Sequence, residues 1–121
     1  MRAWNTVAIV ENDRSALAAL SSLVGAFGYW VRGFHDASDF LACGAAQEVS
    51  CLIADVRLPG IGGFELYRRL AGAGLAPPTI LVTAYPDETT RALALGHGII
   101  AYLGKPVVPE ELQACLRRAM A

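Results

Sequence analysis

Four short apolar segments of the chain each end at a polar residue, and they form the strongest pattern in the sequence. The segments are 7–10, 51–54, 79–82 and 99–104, and the residues that follow them are Glu11, Asp55, Thr83 and Lys105. Strands that are apolar along their whole length are typical of a parallel sheet covered on both faces. Because the carboxyl ends of such strands lie at one edge, two carboxylates, a hydroxyl and an ammonium are predicted to surround one point. That composition suits a divalent cation and a phosphoryl group, with Asp55 at the centre.

Helical patterns alternate with these strands. A further strand is predicted at 29–34, and apolar residues recur at helical spacing in 16–27, 37–42, 64–71, 92–95 and 112–119. Pro86 is predicted in the first turn of the fourth helix, whose thin apolar face consists of Ala92, Leu93 and Leu95. Five strands alternating with five helices predict a doubly wound α/β fold of the flavodoxin-like type. Its parallel sheet has the order 2-1-3-4-5 with helices on both faces, and a crevice opens between strands 1 and 3.

Composition and charge restrict the class of protein. The 121 residues fit a single domain covering 1–121, and the 55% apolar and 17% charged content excludes a disordered chain. The net charge of −1, without a basic stripe, argues against direct nucleic-acid binding by this domain. Cys43, Cys51 and Cys115 stand singly among apolar neighbours, which predicts buried or half-buried thiols in a reducing compartment. Lacking a membrane-spanning stretch or a signal peptide, the chain is expected to be cytoplasmic and not to bind membranes.

Four motifs follow the predicted strands in a fixed order. They are the acidic turn at 11–13, the segment DVRLPG at 55–60 with Gly63, the pair Thr83-Ala84, and YLGKP at 102–106. Through these motifs the chain resembles, over essentially its whole length, the receiver domain of bacterial two-component response regulators, particularly the FixJ-like branch. Each motif is short, and their combination in this order makes the resemblance specific.

The resemblance implies a role for each residue around the phosphoryl site. Asp55 would be the phosphoacceptor, taking a phosphoryl group from the phosphohistidine of a histidine kinase. Thr83 and Lys105 would contact the phosphoryl oxygens, and Tyr102 would be an aromatic switch residue that turns inward together with Thr83. The resemblance also implies a cis peptide bond at Lys105–Pro106.

The resemblance further implies a Mg²⁺ site formed by Glu11, Asn12, Asp55 and the backbone carbonyl of Arg57. One of these residues departs from the family, which usually has an acidic residue in the place of Asn12. An amide oxygen can still coordinate a metal but attracts it less, so we expect weaker Mg²⁺ binding than in a typical receiver. Asp13 is predicted to cap the first helix rather than to replace the missing carboxylate.

The function implied is a phosphorylation-controlled switch rather than an enzyme acting on a separate substrate. Its partners would be the histidine kinase, an output domain or downstream protein, and a second copy bound through helix 4, strand 5 and helix 5. Receivers of this branch commonly precede a DNA-binding domain in transcription regulators. The alternative is a degenerate receiver that acts as an interaction module independent of phosphorylation, which Asn12 favours. A small phosphatase would need a second carboxylate near Asp55, and the sequence after it offers none.

Overall fold

The computed structural model describes residues 5–121, which form a five-stranded sheet with helices on both faces. The strands are β1 (Thr6–Val10), β2 (Trp30–Phe34), β3 (Cys51–Asp55), β4 (Thr79–Thr83) and β5 (Ala101–Gly104). The helices are α1 (Arg14–Ala26), α2 (Ala37–Ala42), α3 (Gly63–Gly72), α4 (Glu88–Gly96) and α5 (Pro109–Met120). Neighbouring strands are parallel and follow the order β2-β1-β3-β4-β5, which confirms the predicted sheet. Within residues 5–121, no helix has the length and apolar character needed to cross a membrane.

The sheet separates two apolar layers, because side chains alternate between the two faces of each strand. One layer joins the strands to α2, α3 and α4 and contains Ala8, Val10, Leu52, Ala54, Leu81, Phe40, Leu66 and Ala94. The other joins them to α1 and α5 and contains Val7, Ile9, Ile53, Ile80, Val82, Leu20, Leu112 and Leu116. Since β1, β3 and β4 are buried along their whole length, their carboxyl ends are held rigidly in the middle of the molecule.

Side-chain caps determine where the helices begin. The Asp13 carboxylate accepts a hydrogen bond from the backbone N–H of Ala16 at 3.0 Å, so Asp13 caps α1 as predicted. Asp87 caps α4 by accepting hydrogen bonds from the backbone N–H and the hydroxyl of Thr90. The helix therefore begins at Glu88, and the prediction that Pro86 lies in its first turn is wrong.

Helix α4 has the thinnest packing, but it buries a different face from the predicted one. Ala94 is its single fully buried residue, whereas every other α-helix buries at least two. Ala92 is exposed and Leu93 is 53% exposed, so these two residues do not face the core as the apolar pattern indicated. The small Ala94 methyl faces the sheet instead, and the larger Leu93 is left on the outer surface of the helix.

Two of the three cysteines are buried, as predicted, and one is not. Cys51 in β3 and Cys115 in α5 belong to the second layer. Burial raises the pKa of the Cys51 thiol to about 12, so this thiol remains protonated and unreactive at neutral pH. Cys43 follows the last residue of α2 and is exposed, so a buried or half-buried thiol was the wrong expectation there.

Candidate functional site

Lys105 joins two carboxylates at the carboxyl edge of the sheet. Its Nζ donates a hydrogen bond to Asp55 Oδ2 at 2.5 Å and another to the carboxylate of Glu11. Glu11 directly follows β1, Asp55 is the last residue of β3, and Lys105 directly follows β5. The parallel sheet therefore brings together three side chains that are up to 94 positions apart in the sequence. The bond between Lys105 and Pro106 is cis, as the resemblance implied.

The backbone holds both carboxylates in place on their remaining sides. The second oxygen of Asp55 accepts a hydrogen bond from the backbone N–H of Arg57 at 2.8 Å. The second oxygen of Glu11 accepts one from the backbone N–H of Asp13 at 3.1 Å. Each carboxylate thus has one oxygen on the Lys105 ammonium and the other on the loop that follows its own strand. This arrangement fixes the direction in which Asp55 presents its oxygens.

The site is largely buried, and its charges stabilise one another. The side chains of Glu11, Asp55 and Lys105 are 3%, 10% and 21% exposed. Burial of the ammonium disfavours its charged form, but the hydrogen bonds and the charges of Asp55 and Glu11 outweigh this effect. The pKa of Lys105 is therefore raised above its usual value. The carboxylates accordingly face a permanent positive charge at any physiological pH.

Two glycines bring the loop after β3 against the backbone of Asp55. A Cβ atom on Gly62 would lie 2.2 Å from the carbonyl oxygen of Val56, and one on Gly63 would lie 2.4 Å from that of Asp55. No side chain fits at either position without moving backbone atoms. The importance of Gly62 was missed in the sequence, where the pair was interpreted only as turn-forming, because the close approach involves backbone atoms that no pattern reveals.

Thr83 and Tyr102 lie beside this cluster and contact the loop between β4 and α4. The buried Thr83 hydroxyl oxygen accepts a hydrogen bond from the backbone N–H of Tyr85 at 3.0 Å. The hydroxyl of the partly buried Tyr102 accepts one from the backbone N–H of Asp87 at 3.1 Å. Both predicted switch residues are thus attached to the segment that leads into α4. A movement of either side chain would be felt at the start of that helix.

The donor atoms at this edge fit a magnesium ion. Glu11 and Asp55 supply two carboxylates at one point, exposed Asn12 follows Glu11 directly, and Arg57 supplies a backbone carbonyl in the next loop. Mg²⁺ typically takes one or two protein carboxylates and completes its octahedron with water and phosphate oxygens. Among the described residues, no three or more His, Cys, Asp or Glu side chains are grouped as metal ligands. The site therefore depends on two carboxylates assisted by neutral oxygens.

Comparison with known proteins identifies the family. A family model described as the response regulator receiver domain matches residues 7–117. This chain belongs to that family. The response regulator protein TmoT of Ectopseudomonas mendocina is 34% identical over 116 residues, which cover 96% of this chain and 53% of TmoT. The receiver chain thus spans about half the length of this curated relative.

Solved structures of receiver domains have the same fold. The crystal structure of FixJ-N has a TM-score of 0.84 and 27% identity, covering 95% of this chain and 92% of that one. A BeF3-activated receiver domain of DrrB has a TM-score of 0.84 and 26% identity, covering 99% of this chain and 98% of that one. The resemblance to response regulator receivers, FixJ among them, is confirmed, and so is the receiver fold.

Proposed function

We propose that this receiver domain is a phosphorylation-controlled switch in which Asp55 accepts a phosphoryl group from a histidine kinase. The observation that supports this most directly is the buried Asp55 carboxylate, held between the Lys105 ammonium and a backbone N–H. A carboxylate in this setting is oriented, accessible at the edge of the sheet and adjacent to a fixed positive charge. These are the features that phosphoryl transfer requires, because catalysis consists mainly of positioning and charge neutralisation.

The transfer step needs few protein groups. An oxygen of Asp55 attacks phosphorus, the bond between phosphorus and the kinase histidine nitrogen breaks, and an acyl phosphate forms while the imidazole takes up a proton. Lys105 moves with the oxygen charge, because its ammonium is a compact donor on a flexible stem. Thr83 offers its hydroxyl proton to another phosphoryl oxygen. Bound Mg²⁺, held by Glu11, Asn12, Asp55 and the carbonyl of Arg57, would supply additional charge neutralisation.

The output follows from the contacts of the two switch residues. As Thr83 turns towards the phosphoryl group, it vacates space into which Tyr102 turns, and the hydroxyl of Tyr102 then leaves the backbone N–H of Asp87. The surface of α4, β5 and α5 changes shape as a result. Its partner, an output domain, a downstream protein or a second copy of the chain, shifts the equilibrium by its preference for one shape. The domain acts in the cytoplasm as a regulator, at most catalysing its own phosphorylation and dephosphorylation, and contacts neither nucleic acid nor membrane itself.

Intact-mass spectrometry after incubation with acetyl phosphate and Mg²⁺ tests the proposal. The unmodified sequence should gain one phosphate adduct, and Asp55→Asn should gain none. Asp39→Asn, which alters an exposed carboxylate on α2, is the matched control and should behave like the unmodified sequence. An undiminished adduct on Asp55→Asn would reject Asp55 as the acceptor.

A second candidate is an interaction module that no longer responds to phosphorylation. It is favoured by Asn12, which places a neutral amide where a carboxylate is usual in the family. We expect Asn12→Asp to tighten Mg²⁺ binding by about three- to tenfold, because it adds one negative charge beside the ion. A Mg²⁺ titration measures this change, and equal affinities would show that Asn12 does not limit the site. An adduct that forms only on Asn12→Asp would favour the second candidate.

A further inference from the structure

The side chains of Arg57 and Tyr85 stack on each other at the surface beside Asp55. The guanidinium carbon of Arg57 lies 4.7 Å from the centre of the Tyr85 ring, within the range of a cation–π interaction. Arg57 is exposed and the Tyr85 ring is 66% exposed. Neither side chain has a role in the transfer step described above, where only the backbone carbonyl of Arg57 was used.

The stack links the two loops that carry the reacting groups. Arg57 belongs to the loop after β3, and its backbone N–H donates to the Asp55 carboxylate at 2.8 Å. Tyr85 belongs to the loop after β4, and its backbone N–H donates to the Thr83 hydroxyl oxygen at 3.0 Å. Asp55 and Thr83 are thus joined through a closed path of contacts, of which the Arg57–Tyr85 stack is the solvent-exposed part.

We propose that Arg57 exchanges the Tyr85 ring for the phosphoryl oxygens when Asp55 becomes phosphorylated. The inference rests on the proposed function. An exposed cation–π contact is weak, whereas a guanidinium matches the oxygens of a phosphoryl group and forms charge-assisted hydrogen bonds with them. Because the side chain starts one hydrogen bond away from the Asp55 carboxylate and lies in solvent, the exchange needs no rearrangement of the core.

The exchange makes the two residues act in opposite directions. Tyr85 holds Arg57 in the resting arrangement and so competes with the phosphoryl group. Arg57 itself stabilises the phosphorylated arrangement once it has left the ring. Departure of the guanidinium also frees the loop after β4, through Tyr85, to follow Thr83. A passive cover over the site would behave differently, since removing either half of a cover would have the same effect.

Equilibrium binding of beryllofluoride in the presence of Mg²⁺ tests the exchange without a chemical step. Tyr85→Leu should tighten binding by about two- to fivefold, the equivalent of an exposed cation–π contact. Arg57→Met, which keeps the backbone carbonyl, should weaken binding by about three- to tenfold, the loss expected for one charge-assisted contact. In the double variant the effect of Tyr85→Leu should vanish, because the ring has no guanidinium to hold.

Two further variants serve as controls. Tyr85→Phe keeps an aromatic face for Arg57 and should bind beryllofluoride as the unmodified sequence does. Arg68→Met removes a similar surface stack, in which the guanidinium lies 6.0 Å from the Phe64 ring on α3, and should have no effect.

The outcomes separate this inference from the proposed function. Shifts in the same direction for Tyr85→Leu and Arg57→Met, or a Tyr85→Leu effect that persists in the double variant, would overturn the exchange alone. An unmodified chain that binds no beryllofluoride would overturn the proposed function and the exchange with it.

Discussion

Lys105 is the only lysine of the chain, and it contacts both buried carboxylates of the site. The nine other basic side chains are arginines, whose planar guanidinium would bind a carboxylate in a fixed orientation. An ammonium has no preferred plane and can rotate its three protons among different acceptors. The residue that must pass from a carboxylate to a phosphoryl oxygen is therefore the one whose charge is easiest to redirect.

The single lysine makes its ionisation directly measurable. NMR of a chain carrying ¹³C at the lysine Cε should give one signal, with a pKa above the usual value of about 10.4. Because this pKa is raised in the folded protein, the charged Lys105 stabilises the fold below pH ~10.4, and this contribution disappears as the pH rises through the folded pKa. Asp55→Asn should lower the measured pKa, since burial is then opposed by Glu11 alone. A pKa unchanged in Asp55→Asn would contradict the described ion pair.

At the scale of elements, the loop from β3 to α3 is a rigid support for Asp55. Gly63→Ala would place a Cβ 2.4 Å from the carbonyl oxygen of Asp55 and 3.0 Å from Ala54 Cβ, and neither atom is the end of a flexible side chain. We expect a loss of about 1–3 kcal/mol in the free energy of unfolding, measured by urea denaturation. Gly72→Ala in the same helix meets no atom within 4 Å and should cost nothing. Equal stabilities of the two variants would show that the loop is not tightly packed.

Helix α4 is attached at both ends by tyrosine hydroxyls. Tyr102 accepts a hydrogen bond from the backbone N–H of Asp87 at its start, and Tyr67 donates one to the carbonyl oxygen of His97 at its end. Because α4 buries only Ala94 in full, these contacts account for much of its attachment. Their positions suggest that the two ends can be released separately.

Tyr102→Phe tests the attachment at the start of α4. The variant removes the acceptor of the Asp87 N–H, so exchange of that amide with water should accelerate by about two- to tenfold, as expected for one hydrogen bond. Tyr67→Phe, the control at the other end, should leave the exchange of Asp87 unchanged. NMR exchange rates measure both variants, and an unaltered Asp87 rate in Tyr102→Phe would show that the hydroxyl does not hold the helix.

For the whole molecule, the fold and the grouping of the site were predictable because both depend on chain order and strand polarity. Buried parallel strands need continuous apolar segments, and their ends necessarily meet at one edge. The face of α4 that points inward and the start of that helix were not predictable, since the burial of Ala94 and the cap at Asp87 depend on packing and side-chain contacts. The Arg57–Tyr85 stack was missed for a similar reason: its residues lie in two loops that only the folded sheet brings together.

The outer face of α4 is where the proposed change of shape would be read by a partner. Leu93 is 53% exposed there, between exposed Ala92 and Gly96, and the helix begins at the contact made by Tyr102. If a second copy binds this face, acetyl phosphate with Mg²⁺ should increase the molar mass measured by light scattering. Leu93→Glu should then weaken dimer formation by about tenfold or more, because it buries a charge in an apolar contact. Leu41→Glu on α2, where the leucine is 38% exposed, should leave the dimer intact, and equal losses in both variants would place the interface elsewhere.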